Sequence, residues 1–257
     1  MPNAKSVKPL FRAPNRCPNG VGTAPREDIK GLLGLPDPSD WHIFFEDYDF
    51  VPATNKFTNV VVGTGTGVTT TGADGGILTI VNSAGGTDAF STGQTTPNFL
   101  PQVTRSLIFE TQFEVDSATL ANAGAGMIAS SNTLTPFTYT EGIAIRKPSG
   151  ASTFVIEVKK AGTTQATGAF GGAVCPANTQ IKVGFAYRGF RDATTQKFLF
   201  KLDLNDGNGP RYQSLTVPTA NVPTALLGAS VGLLNGSAVA RTMKVDYILA
   251  GKDRFFV

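Results

Sequence analysis

The sequence predicts an all-β chain, a two-sheet antiparallel β-sandwich carried behind an extended N-terminal arm. Charged residues make up 16% and hydrophobic residues 41% of the 257 positions, which excludes a disordered chain and supplies a large core. The 29 Gly and 16 Pro interrupt runs rich in Val, Thr and Ala, the composition of short strands and frequent turns. No helix of substance is signalled, and two sheets packed face to face are the economical way to bury many short strands. Length alone does not decide between one large sandwich and two small domains.

The arm comes first, at residues 1–40, ahead of a sandwich domain at 41–257. Pro2, Pro9, Pro14, Pro18, Pro25, Pro36 and Pro38 fix φ and remove backbone donors too often for regular structure. One short helix is expected over Arg26 to Leu33, where Glu27 and Asp28 precede Ile29, Leu32 and Leu33 and Gly34 acts as a stop. Lys5, Lys8, Arg12, Arg16 and Arg26 all precede the first acid, Glu27, so residues 1–26 hold +5. The whole-chain charge of +3 therefore leaves −2 for residues 27–257. A basic arm points to an acidic or anionic partner, although its charge density falls short of a nucleic-acid tail.

From Trp41 onward short runs alternate with Gly, Asn, Asp and Pro clusters. Strands are expected near Trp41–Asp49, Asn59–Val62, Gly76–Val81, Ser106–Val115, Gly124–Ala129, Gly142–Arg146 and Thr153–Lys160. Further strands follow near Thr163–Phe170, Gln180–Tyr187, Lys197–Leu204, Tyr212–Val217, Ser230–Leu234 and Arg241–Ala250. Phe109, Thr111, Phe113 and Val115 share one face, leaving Glu110, Gln112, Glu114 and Asp116 on the other. Phe198, Phe200, Leu202 and Leu204 likewise oppose Lys197, Leu199, Lys201 and Asp203. Lys160-Ala161-Gly162-Thr163 reads as a hairpin turn, as does Asn205 to Gly209. The Gly/Thr tract from Val62 to Gly76 reads as loops and weak edge strands. No repeat of fixed period argues for a propeller or β-helix.

Cys17 and Cys175, one in the arm and one beside Pro176, make no disulfide framework; reduced thiols in a protein assembled in the cytosol are expected, with an arm-to-body disulfide as the other reading. The N-terminal residues lack the apolar run of a signal peptide, and no stretch approaches a membrane span.

Two segments resemble concanavalin A-like jelly rolls, the lectin/glucanase and laminin-G superfamily. One is Gln180-Ile181-Lys182-Val183-Gly184-Phe185-Ala186-Tyr187 followed by Phe198-Leu199-Phe200-Lys201-Leu202-Asp203. The other is Met243-Lys244-Val245-Asp246-Tyr247-Ile248-Leu249-Ala250, similar to the closing strand of those folds. A narrower resemblance covers most of residues 41–257. The opening Trp41 to Phe50, the Gly/Thr-rich Val62 to Thr71, and Asp74-Gly75-Gly76-Ile77-Leu78-Thr79-Ile80 resemble structural proteins of tailed-bacteriophage virions. That resemblance implies a capsid decoration or cement protein, and less often a fibre component.

No constellation of residues announces catalysis. A glucanase of this fold needs paired acids on one strand, of Glu-x-Asp-x-x-Glu type. The nearest sets are Glu46, Asp47 and Asp49, and Glu110, Glu114 and Asp116, where Gln112 interrupts the second; the expectation is a solvated polar face. His42 adjoins Trp41 at a strand start and reads as structural. Asp203 to Gly209 lacks the spacing and the closing glutamate of a calcium loop and reads as turn chemistry. Gly63 to Gly67 has no Gly-Lys-Ser/Thr and is no phosphate loop. Tyr139, Tyr187 and Tyr212 could stack on sugars, but five Tyr and one Trp are thin for that purpose, so core and rim roles are expected.

The expected function is a non-enzymatic virion structural protein on the capsid surface, assembled in the host cytoplasm. It takes no catalytic, cofactor or metal site. Its partner is the major capsid protein, engaged through Lys5, Lys8, Leu10, Phe11, Arg12, Arg16, Arg26, Ile29, Leu32 and Leu33 of the arm. Neither nucleic acid nor membrane is a partner, and the resemblance implies a trimer or dimer. The competing expectation is a glycan-binding module or fibre tip that holds host polysaccharide, marked by amides and exposed aromatics gathered in loops at one end. A hydrolase is the third.

Overall fold

The computed structural model describes residues 41–48, 56–70, 76–129, 138–188 and 194–254, and these fold almost wholly as strands. The arm, with its anchor residues and short helix, lies outside the described residues, as does Asp49. The strands are β1 (Trp41–Glu46), β2 (Phe57–Val62), β3 (Thr66–Thr70), β4 (Ile77–Asn82), β5 (Ala89–Gln94), β6 (Leu107–Val115), β7 (Ala121–Ala129) and β8 (Gly142–Lys147). They continue as β9 (Thr153–Lys160), β10 (Thr163–Val174), β11 (Ile181–Arg188), β12 (Thr195–Asp203), β13 (Arg211–Pro218), β14 (Leu227–Asn235) and β15 (Arg241–Asp253). Among the described residues the only helical element is a single 3-10 turn at Thr219–Asn221.

Two antiparallel sheets form a sandwich. The eight-stranded sheet runs β13-β12-β11-β6-β15-β4-β3, with β1 also on β15; the seven-stranded sheet runs β10-β9-β8-β7-β14-β5-β2. The long β15 pairs β4 through Arg241–Val245 and β1 through Ile248–Asp253. At one side the chain passes from β2 in one sheet to β3 in the other, and at the opposite side β10 packs against β13.

The alternating faces of β6 and β12 meet the seven-stranded sheet as expected. Phe109, Phe113, Phe185, Phe198 and Phe200 pack with Phe154, Ile156, Met127 and Val231 in one core. Full burial of each such side chain contributes about 1.5–3 kcal/mol against exposure, offset by chain ordering. The inward face of β7 is Ala121, Ala123, Ala125 and Met127. Its outward Gly126 has no room for a Cβ, which would collide with the Ile143 carbonyl oxygen of β8.

One strand was not expected, β5, whereas β3 lies at a sheet edge in the Gly/Thr tract where a weak edge strand was expected. Ala89-Phe90-Ser91-Thr92-Gly93-Gln94 carries little β-propensity, and burial on both of its faces holds it as a strand. Gly63 and Thr64 of the Gly/Thr tract belong to a structured corner. Thr64 Oγ1 donates to Asp88 Oδ2 (3.0 Å), Ser83 donates to the same oxygen, and a Cβ at Gly63 or Gly85 would strike the Asp88 carboxylate. Asn82 Nδ2 donates to the carbonyls of Asp88 and Leu233, each at 3.0 Å, tying this corner to β14. The Lys160–Thr163 turn is a two-residue hairpin with φ of 50° at Ala161 and 77° at Gly162, the positive pair such a turn requires.

Candidate ligand-binding site

The outer face of the eight-stranded sheet is assembled by register. Lys201 of β12 stands opposite Gly184 of β11, which stands opposite Glu110 of β6. A Cβ at Gly184 would lie 2.6 Å from the Phe109 carbonyl oxygen, so the middle of this row stays bare. Over that gap the Lys201 ammonium donates to Glu110 Oε2 at 3.1 Å, and both side chains are almost wholly buried, at 1% and 5% exposure. Glu110 therefore departs from the expected solvated face: its neighbours are a buried cation and a tyrosine.

That tyrosine is placed by a bulge. β15 slips register against β6 between Val245 and Tyr247, so Val245 faces the core opposite Phe113 while Tyr247 faces outward opposite Gln112. The Tyr247 hydroxyl donates to Glu110 Oε1 at 2.5 Å. Burial holds its pKa well above the ordinary value, and the Glu110 charge adds to the effect. Asp246, at the bulge, is raised by burial, an effect that Lys182 opposes and Asp47 reinforces.

The next row is Asp203 of β12, Lys182 of β11 and Gln112 of β6. With Gln180 and Asn205 these residues line an open recess of about 170 Å³. Gln112 Nε2 donates to Gln180 Oε1 at 2.6 Å, and Asp203 Oδ1 accepts the Asn205 N–H at 3.0 Å. Lys182 Nζ lies 4.0 Å from Glu110 Oε1 and 5.9 Å from the Tyr247 ring centroid. The recess keeps Gln112 Oε1, Asp203 Oδ2, Gln180 Nε2 and the Asn205 amide for a ligand, a mixed set of acceptors and donors at one open place.

The other candidates resolve individually. Glu114 is ion-paired to Lys244 at 2.6 Å, and Asp116 Oδ2 accepts the Thr242 N–H at 2.9 Å, so each acid on this strand has a basic or backbone partner of its own. Glu46 pairs with Lys56 at 3.3 Å. His42 lies with its ring 5.3 Å from that of Phe99. Asp203 to Gly209 is turn chemistry, with Asp206 Oδ1 accepting the Asn208 N–H at 3.0 Å and positive φ at Asn205, Gly207 and Gly209. Tyr139 and Tyr187 are buried, Tyr187 stacked 4.9 Å from Phe198, whereas Tyr212 is 38% exposed on the outer face, opposite Lys201. Cys175 is free and buried; Cys17 lies outside the described residues.

A second polar group stands on the outer face of the seven-stranded sheet. Arg146 grips Glu157 through Nε, at 3.0 Å, and through Nη2; the Tyr139 hydroxyl donates to Glu157 Oε2 at 3.3 Å. Lys159 Nζ sits 4.5 Å over the Tyr139 ring. Its carboxylate is consumed by these contacts, which leaves it a structural clamp on β8 and β9.

The recess was not read from the sequence. Asp203 and Asn205 lie in a segment without calcium-loop spacing, and Gln112 interrupts a set of acids. Their meeting depends on β11 lying between β6 and β12, which no local pattern encodes; alternation in Gln180-Ile181-Lys182 was the available signal.

No protein-family model matches the chain, and no curated protein matches it in sequence. Solved structures do match in shape. An endo-1,3-β-glucanase from Streptomyces sioyaensis superposes with TM-score 0.57 at 11% identity, covering 85% of this chain and 99% of that one. The CBM2 module of the evolved Dit of Lactobacillus casei BL23 phage J-1 gives 0.55 at 11%, covering 85% and 98%. The lectin UEA-II, complexed with galactose, gives 0.52 at 14%, covering 83% and 99%. The fold is the concanavalin A-like jelly roll. Lectins and a glucanase share it, so the fold leaves the activity to the site.

Proposed function

We propose that this chain is a glycan-binding module and that its site is the recess of Gln112, Gln180, Lys182, Asp203 and Asn205. The observation that carries the reading is the unclaimed, mixed donor and acceptor set at an open recess of about 170 Å³, a volume suited to one hydroxylated ring. Sugar hydroxyls both donate and accept, so amides beside a carboxylate can satisfy adjacent hydroxyls in pairs. Tyr212, exposed on the same face, adds a stacking surface. Neighbours in shape that include a galactose-bound lectin and a phage Dit module support the reading and favour a role in host adsorption, as a fibre or receptor-binding component. No step of hydrolysis is proposed, because Glu110 and Glu114 are each held by their own lysine.

A glycan array probed with the full chain tests this. Discrete hits that Asp203→Ala abolishes are expected; an array with no hits overturns the reading.

The capsid-cement reading rests on residues 1–40, where five positive charges precede the first acid. Deleting residues 1–34 and measuring binding to emptied capsids tests it: unchanged binding sinks the arm as anchor.

A further inference from the structure

We propose, resting on the glycan-binding reading, that the recess selects uncharged sugars over anionic ones and that Glu110 sets this selectivity through Lys182. Lys182 carries the one positive charge among the lining residues, and carboxylates of β6 and β12 stand beside it. Glu110 on β6 approaches to 4.0 Å, Asp203 on β12 is its register partner, and Asp246 on β15 acts on it electrostatically. Lys201, the other cation on this face, is bound to Glu110 and almost wholly buried, so it offers no charge to a ligand in the recess. A uronate or other acidic sugar entering here meets Lys182 already compensated by Glu110 and the like charge of Asp203 in the lining. A neutral ring meets amides and a carboxylate that need only hydroxyl partners.

Glu110 has the geometry of a positioning residue. Its two oxygens are held by Lys201 and by the Tyr247 hydroxyl, which fix the carboxylate below Lys182 without exposing it to the ligand. Removing its charge would leave Lys182 freer to pair with an anion while the lining residues stay in place.

The test is equilibrium binding of the full chain to neutral polymers (laminarin, galactomannan, dextran) and anionic polymers (polygalacturonate, hyaluronate) at fixed salt. Wild type is expected to bind at least one neutral polymer and neither anionic one. Glu110→Gln is expected to gain polygalacturonate affinity by about tenfold. Should Glu110→Gln fail to fold, Asp246→Asn removes a further carboxylate that acts on Lys182 electrostatically and is expected to move affinity the same way. Wild-type binding to anionic polymers as tight as to neutral ones, lost in Lys182→Gln, overturns the selectivity while the glycan-binding reading stands. A folded Glu110→Gln or Asp246→Asn with no gain overturns the role given to the carboxylates. Binding to no polymer of either kind overturns the underlying reading itself.

Discussion

Lys201 Nζ and Glu110 Oε2 meet at 3.1 Å across a strand that has no side chain between them, because the intervening residue is Gly184. This buried pair ties β12 to β6 over β11. Replacing a buried pair with apolar groups is often neutral, whereas removing one partner strands a charge at a cost of about 3–5 kcal/mol. Lys201→Met in a Glu110→Gln background should therefore recover much of the stability that Glu110→Gln alone loses. Urea unfolding of the single and double variants checks this, and additivity of the two losses would contradict it.

Lys147 ends β8 on its inward face, fully buried, with its ammonium donating to the Ala121 carbonyl. Burial lowers its pKa from 10.5 to about 8. Because the folded pKa is below the unfolded one, the penalty is present at neutral pH and is relieved as pH rises from about 8 to 10.5. Lys147→Met should raise stability by about 1–3 kcal/mol at pH 7, which corresponds to a melting-point gain of several degrees. The variant should also lose the alkaline rise in stability, read by denaturation at pH 7 and pH 10.

Asp88 at the β4–β5 corner has the opposite sign. The Ser83 hydroxyl foremost, and that of Thr64 next, hold its pKa below 3.8. Its contribution is therefore present above that pH and is lost as pH falls through the lowered value. Asp88→Asn should flatten the acid limb of the stability profile between about pH 5 and 2. A limb as steep as that of wild type would show that the corner carries no such linkage.

Burial pushes the Cys175 thiol up to about 11. In a Cys17→Ser background the native protein should not react with a thiol reagent such as DTNB at pH 8, and one thiol should appear on unfolding. Rapid native labelling would contradict the burial of this residue.

The fold was largely legible in the sequence. The alternation at Phe109–Val115 and Phe198–Leu204 gave the core faces of β6 and β12, and the Lys160–Thr163 turn is where it was expected. What escaped was long-range pairing. Nothing local shows that Glu110, on a face that reads as solvated, is covered by Lys201 from two strands away. Nor does the pattern Met243 to Ala250 disclose the slip after Val245 that turns Tyr247 outward. β5 and the Asp88 corner were hidden for the converse reason: Gly, Ser and Thr look like loop residues until burial makes them strands and close contacts.

Titration of the isotopically labelled full chain with its best array ligand, followed by backbone amide shifts, locates the binding site. Perturbations clustered at 110–112, 180–182 and 203–205, saturating together, are expected. Perturbations confined to the seven-stranded sheet or to residues 1–40, with those three segments unmoved, would contradict the recess as that site.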